Sequence, residues 1–124
     1  MNGASGGGPD CAPGIITTDT RVKTIAVECE VGGKTVRLGG STKGAGMIYP
    51  NMATMLCYLT SNVAADHAWL QEQIRAAVRD SFNMICVDGD MSTNDTVLLF
   101  ANGAAGNEPL RAGAPSLSGF LRQP

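Results

Sequence analysis

From Val22 to Val31 apolar and polar positions alternate, with Ile25, Val27, Cys29 and Val31 on one parity and Thr24, Ala26, Glu28 and Glu30 on the other. A period of two is the pattern of a strand with one buried face. Gly32-Gly33 interrupts it and Thr35 to Leu38 resumes it, so Thr24–Leu38 predicts a β-hairpin whose glycines supply the positive φ angles of a tight turn. Gly39 to Gly46 contains four glycines and is expected to be a loop. After a turn at Pro50-Asn51, Met55 to Thr60 reads as a short apolar strand. Asp66 then fits the N-cap of a helix in which Leu70, Ile74, Ala77, Val78 and Phe82 recur at steps of three and four. Asn83 to Val87 suggests a brief buried strand, closed by the turn residues Asp88-Gly89-Asp90. Ser92 and Asp95 have capping-box spacing, so Val97–Ala101, which periodicity leaves open between helix and strand, is assigned to a helix closing at Gly103. The sum is an α/β chain with about two helices and four strands.

A length of 124 residues suits one domain. Many of the 16 glycines and 6 prolines crowd the two ends. Residues 1–14 therefore predict no regular element, and 108–124 an irregular tail. Charged residues amount to only 16%, with a formal net charge of −2 and no stripe of Lys and Arg, which argues against nucleic acid as a partner. No apolar stretch reaches the roughly 18–20 residues needed to cross a bilayer, and the start lacks the basic and apolar regions of a signal peptide, so no membrane partner and no export are expected. Cys11, Cys29, Cys57 and Cys86 are too widely spaced for CxxC pairs and are expected to be free, buried thiols of a reducing compartment.

Several chemistries fail on spacing. Lys43 precedes Gly44, the reverse of a phosphate-cradling P-loop, and Tyr49 stands where a dinucleotide fingerprint needs a third small residue. Asp88, Asp90, Asn94 and Asp95 lack the acidic twelfth ligand of an EF-hand, where Leu99 falls, so no metal is expected. His67 is the only histidine and lies in the first turn of the expected helix, which weakens any triad built on imidazole. A hydroxyl nucleophile without histidine can instead use its own α-amino group as base, provided internal cleavage makes that residue N-terminal; such an amine has an unperturbed pKa of about 7.7–8.0.

Lys43-Gly44-Ala45-Gly46-Met47-Ile48-Tyr49-Pro50-Asn51-Met52-Ala53-Thr54-Met55-Leu56 closely resembles the self-cleavage segment of the ornithine acetyltransferase family, also called bifunctional glutamate N-acetyltransferase and amino-acid acetyltransferase. Ser81 to Ile85 with Val87 to Thr96 is similar to the family's second signature, and Ile16-Thr17-Thr18-Asp19-Thr20 to a third, weaker one, so the resemblance covers residues 15–107 and leaves both ends outside it. The resemblance implies a layered α-β-β-α fold and a cytoplasmic step of arginine biosynthesis, in which an acetyl group passes from N-acetylornithine to glutamate. Some members also accept acetyl-CoA as donor; no other cofactor is implied. It further implies cleavage between Ala53 and Thr54, Thr54 as nucleophile and substrate contact, Lys43 and Thr17 as substrate-binding residues with Thr18 a close second, and self-association of the cleaved chains. Lys43 would suit a substrate carboxylate, as a compact charge with three donors.

The family's oxyanion Thr-Gly pair has no counterpart in Met1–Gly14, and its acidic substrate ligand and C-terminal Asn and Thr would fall beyond Pro124. The chain is accordingly expected to be an internal slice of a longer enzyme. The competing readings are an inactive truncated homologue and a binding fragment that keeps the Gly39–Gly46 loop without chemistry.

Overall fold

A computed structural model describes residues 7–51 and 54–113. The architecture is mixed α/β: one four-stranded sheet in the order β1-β2-β3-β4, with β1 Lys23–Val31, β2 Lys34–Lys43, β3 Met55–Ser61 and β4 Asp95–Ala101. Helix α1 (Gly7–Ile15) precedes the sheet, and helix α2 (His67–Arg79) followed by a 3-10 turn at Phe82–Met84 links β3 to β4. β1, β2 and β3 are antiparallel neighbours, while β4 runs parallel to β3, as a strand–helix–strand crossover requires.

The expected hairpin is present. Gly32 and Gly33 have φ of 57° and 72°, and Val31 pairs with Lys34 across them. Both angles are costly for a residue with a Cβ, which is why this two-residue turn takes glycine twice. α2 also follows its apolar spacing, but Asp66 caps it without its side chain: the Asp66 carbonyl accepts from Leu70 N at 3.0 Å, and its own N–H goes to Leu110 O at 2.8 Å.

Four expectations are corrected. Gly39 to Lys43 is not loop but the second half of β2, paired on one side with Lys23–Ala26 and on the other with Leu56–Thr60. The glycines make room for side chains: a Cβ on Gly40 would stand 2.6 Å from Leu59 Cδ2. Val97–Ala101 belongs to strand β4 rather than a helix, because seven consecutive partners on β3 satisfy its backbone. The Ser92 hydroxyl accepts from Asn94 N at 3.2 Å, closing a local turn instead of capping a helix. Asn83 to Val87 is no strand; it opens in the 3-10 turn, and its Asn83 side chain and Val87 N–H go to Asn51 and Ile48. Within residues 1–14, expected to lack an element, the described residues from Gly7 onward belong to α1, which packs against β2 and buries Ala12.

Two apolar clusters hold the elements. Val31, Val36, Val63, Trp69 and Leu110 form one, and Ile48, Met55 and Cys57 the other, with Leu59, Phe82 and Val97 against it. Strand alternation puts Val97 on the covered face, so Leu98 and Phe100 point the other way, where both are exposed. Asn107, buried, fastens the segment after β4: Oδ1 accepts from Ala64 N at 2.9 Å, while Nδ2 donates to Ala64 O at 3.0 Å. The cysteines are free as expected, but only Cys57 is buried; Cys29 is half-buried, and Cys11 and Cys86 are exposed. Among the described residues no helix is long and apolar enough to cross a membrane.

Candidate functional site

The self-cleavage segment of the resemblance lies where β2 ends and β3 begins. Lys43 closes β2 directly across from Leu56. Gly44 has φ 148°, and a Cβ there would stand 3.0 Å from Thr54 O. The chain therefore passes Thr54 at a distance that only glycine allows without displacement. From Gly44 it loops out through Met47 and Asn51, both with left-handed backbone (φ 52° and 70°), and returns at Thr54. Ala53, the residue expected before the cut, lies outside the described residues.

Thr54 is held by one atom. Its N–H donates to Met47 O at 2.9 Å, and its Oγ donates to the same oxygen at 3.3 Å. Met55, the next residue, is anchored in the second apolar cluster, and Thr42 Oγ donates to Leu56 O at 3.0 Å. Thr54 is thus a half-buried hydroxyl at the head of a strand, its amide and hydroxyl converging on a carbonyl seven residues upstream.

Around Gly44 the third motif comes in. The Asp19 side chain is only 1% exposed, and its Oδ1 accepts from Gly44 N at 3.0 Å and from Lys23 Nζ. Lys23 Nζ also donates to Gly44 O at 3.0 Å, so both polar groups of Gly44 are tied down. Lys23, then the Gly44 N–H, hold the Asp19 carboxyl below the usual carboxylate range against the opposing effect of burial; the charge of Lys43 adds to this. Among the described residues Lys43 itself forms no ion pair: Lys23 bonds Asp19 Oδ1, and Asp19 Oδ2 is buried without a hydrogen-bond partner.

Thr17 and Thr18 are exposed and directly precede Asp19, whose carboxylate bonds the residue after Lys43. Three contributors escape sequence pattern alone. Asp19 precedes the alternating segment that begins at Val22, Lys23 falls at its start, and Asp88 reads as turn chemistry. Yet Asp88 Oδ2 accepts from Met47 N at 2.6 Å and Oδ1 from Ile48 N at 3.3 Å. For Asp19 and Asp88 the signal is position inside the third and second motifs, not residue type; Lys23 lies outside both and carries none. Among the described residues no group of three His, Cys, Asp or Glu side chains is placed to hold a metal.

Comparison with known proteins gives a consistent answer. The family model described as the ArgJ family matches residues 2–123, beyond the 15–107 expected from the motifs, so both ends fall within it. An arginine biosynthesis bifunctional protein ArgJ of Symbiobacterium thermophilum is 53% identical over 114 residues, which is 92% of this chain and 28% of the relative. That of Bacillus subtilis is 50% identical over 116 residues, 94% of this chain and 29% of the relative. A glutamate N-acetyltransferase of Methanocaldococcus jannaschii is 56% identical over 99 residues, 78% of this chain and 25% of the relative. The chain spans about a quarter of the length of these relatives, and by a match along nearly its whole length it belongs to the ArgJ family.

Proposed function

We propose that this chain carries the self-cleavage and acyl-accepting site of a glutamate N-acetyltransferase acting in arginine biosynthesis. The observation that supports it is the shared acceptor: the Thr54 amide and hydroxyl both sit on Met47 O. In the cut, Thr54 Oγ attacks the carbonyl carbon of Ala53, the C–O bond forms, the Ala53–Thr54 C–N bond breaks, and the hydroxyl proton ends on the Thr54 nitrogen. Donor and recipient of that proton are already held on one oxygen. Water then hydrolyses the ester, leaving a carboxylate on Ala53 and a free amine and hydroxyl on Thr54.

The new amine, with an ordinary pKa of about 7.7–8.0, accepts the Oγ proton as the hydroxyl attacks the acetyl carbonyl of N-acetylornithine, and returns that proton to the nitrogen of the departing ornithine; the amine of glutamate then attacks the acetyl ester, taking the acetyl group and restoring the Thr54 hydroxyl. Acetyl-CoA is an alternative donor. Lys43 binds the substrate carboxylate, a role supported by its lack of an ion pair among the described residues; Thr17 supplies a hydroxyl from the adjoining segment. The site works in the cytoplasm, and the cleaved chains self-associate.

Intact-mass measurement on purified protein tests this. Pieces corresponding to residues 1–53 and 54–124 are expected from the parent, and one uncut chain from Thr54→Ala. A parent that stays whole through incubation, or a Thr54→Ala variant that still cuts, overturns the proposal. Lys43→Ala is expected to weaken substrate binding more than cleavage.

A further inference from the structure

Met47 and Asn51 are the non-glycine residues with left-handed backbone among those described, and both lie in the seven residues before Thr54. A Cβ makes that conformation costly, so it persists only where neighbours hold it. The holders come from the second motif. Asn83 Oδ1 accepts from Asn51 N at 3.3 Å, and Asn83 Nδ2 donates to Asn51 Oδ1 at 3.0 Å. Asp88 Oδ2 accepts from Met47 N at 2.6 Å, Oδ1 accepts from Ile48 N at 3.3 Å, and Val87 N donates to Ile48 O at 3.0 Å.

We infer that Asp88 is a positioning residue for cleavage of the Ala53–Thr54 bond, acting through Met47; the inference rests on the reading of Thr54 given above. The Met47 peptide groups are fixed on both sides: the N–H by the Asp88 carboxylate, the carbonyl by its two bonds from Thr54. Removing the carboxylate lets Met47 return to negative φ. Its carbonyl then turns away, and the Thr54 nitrogen and Oγ lose the acceptor that holds them together. The reacting hydroxyl spends less time in the arrangement held by Met47 O, which slows formation of the Oγ–C bond and loss of the C–N bond without touching either atom. Asp88 is exposed, so its truncation opens no void in the core.

The test is a time course of intact mass at a temperature well below each variant's melting midpoint, with rates taken per folded molecule. Asp88→Ala is expected to slow cleavage by about tenfold or more, with Asp88→Asn, which retains an uncharged acceptor, in between. Adding Met47→Gly to Asp88→Ala is expected to recover most of the loss, because glycine enters the left-handed region at little cost. A merely structural role would lower the melting midpoint and leave the rate per folded molecule alone. Gly46→Ala provides a route that keeps the carboxylate: its Cβ would stand 3.3 Å from Asp88 Oδ2 and crowd it, and slower cleavage is again expected. A parent that cuts while Asp88→Ala and Gly46→Ala cut equally fast overturns the inference and leaves the function standing. Failure of Met47→Gly to rescue also overturns it. An uncut parent overturns the function, and this inference with it.

Discussion

Replacing Gly44 by Ala separates what holds the fold from what holds the site. Gly44 has φ 148°, and an added Cβ would lie 3.0 Å from Thr54 O, 3.5 Å from Ile48 Cδ1 and 3.7 Å from Met55 Cα. The first of these is backbone and cannot rotate away, so the two segments must part by a few tenths of an ångström. Backbone conformations of this kind cost a residue with a side chain about 1–3 kcal/mol, and crowding in a packed region adds about 1 kcal/mol or more, giving a loss of at least about 2 kcal/mol. In a domain of this size that corresponds to roughly 6–10 °C in melting midpoint. The displaced atom is the carbonyl of Thr54, so cleavage per folded molecule should fall as well. Gly40→Ala is the control: its Cβ would meet Leu59 Cδ2 at 2.6 Å, the end of a flexible side chain on the helix-covered face. It should lower the midpoint and leave the rate per folded molecule at the parental value. Thermal unfolding together with intact-mass kinetics reads both quantities. A Gly44→Ala chain with the parental midpoint and the parental rate would show that the close approach constrains nothing.

Two further outcomes follow from burial and charge. Iodoacetamide at mildly alkaline pH should label Cys11 and Cys86 first; burial raises the thiol pKa of Cys29 and Cys57, and Cys57 should react only as the chain unfolds. Peptide mapping that finds Cys57 as reactive as Cys11 in the folded chain contradicts this. Because Lys23 and the Gly44 N–H hold the Asp19 carboxyl below its ordinary value of 3.8, its contribution to stability is complete above that pH and is lost as the pH falls through the lowered folded value. Melting midpoints across acid pH should therefore fall more steeply for the parent than for Asp19→Asn; Asp88, also lowered, chiefly by the Met47 N–H, keeps some acid dependence in the variant. Parallel curves would refute the assignment.

Elements whose partners are close in sequence were legible, and those defined by distant partners were not. The Gly32-Gly33 hairpin and α2 declare themselves because turn and period are local. β4 does not: five apolar residues carry no decisive period, and what makes them a strand is β3, some forty residues earlier, with Val97 turned into the second cluster and Leu98 turned out. The same holds for Gly39 and Gly40, whose entropy argues for a loop until two flanking strands are present to bond them. At the site, residue type pointed to Thr54 only through its motif. Asp19 and Asp88 act by accepting backbone N–H groups from segments 25 and 41 residues away, an interaction that leaves no trace in local pattern.

The topology also bears on what a cut at Ala53–Thr54 would do to the molecule. The upstream piece holds α1, β1 and β2, and the downstream piece β3, α2 and β4, yet the strand pair from Leu38↔Ser61 to Lys43↔Leu56 joins the two. Each apolar cluster is likewise divided: Val31 and Val36 lie upstream of the cut, with Val63, Trp69 and Leu110 downstream, and Ile48 lies upstream of Met55 and Cys57. Breaking one peptide bond severs the sequence without separating the core. It also leaves the Met47 carbonyl on one piece and the Thr54 amine on the other, still clamped by Asp88, which belongs to the same piece as the amine. A nucleophile made by cleavage needs surroundings that survive cleavage. Here those surroundings would be held from both sides of a cut at Ala53–Thr54.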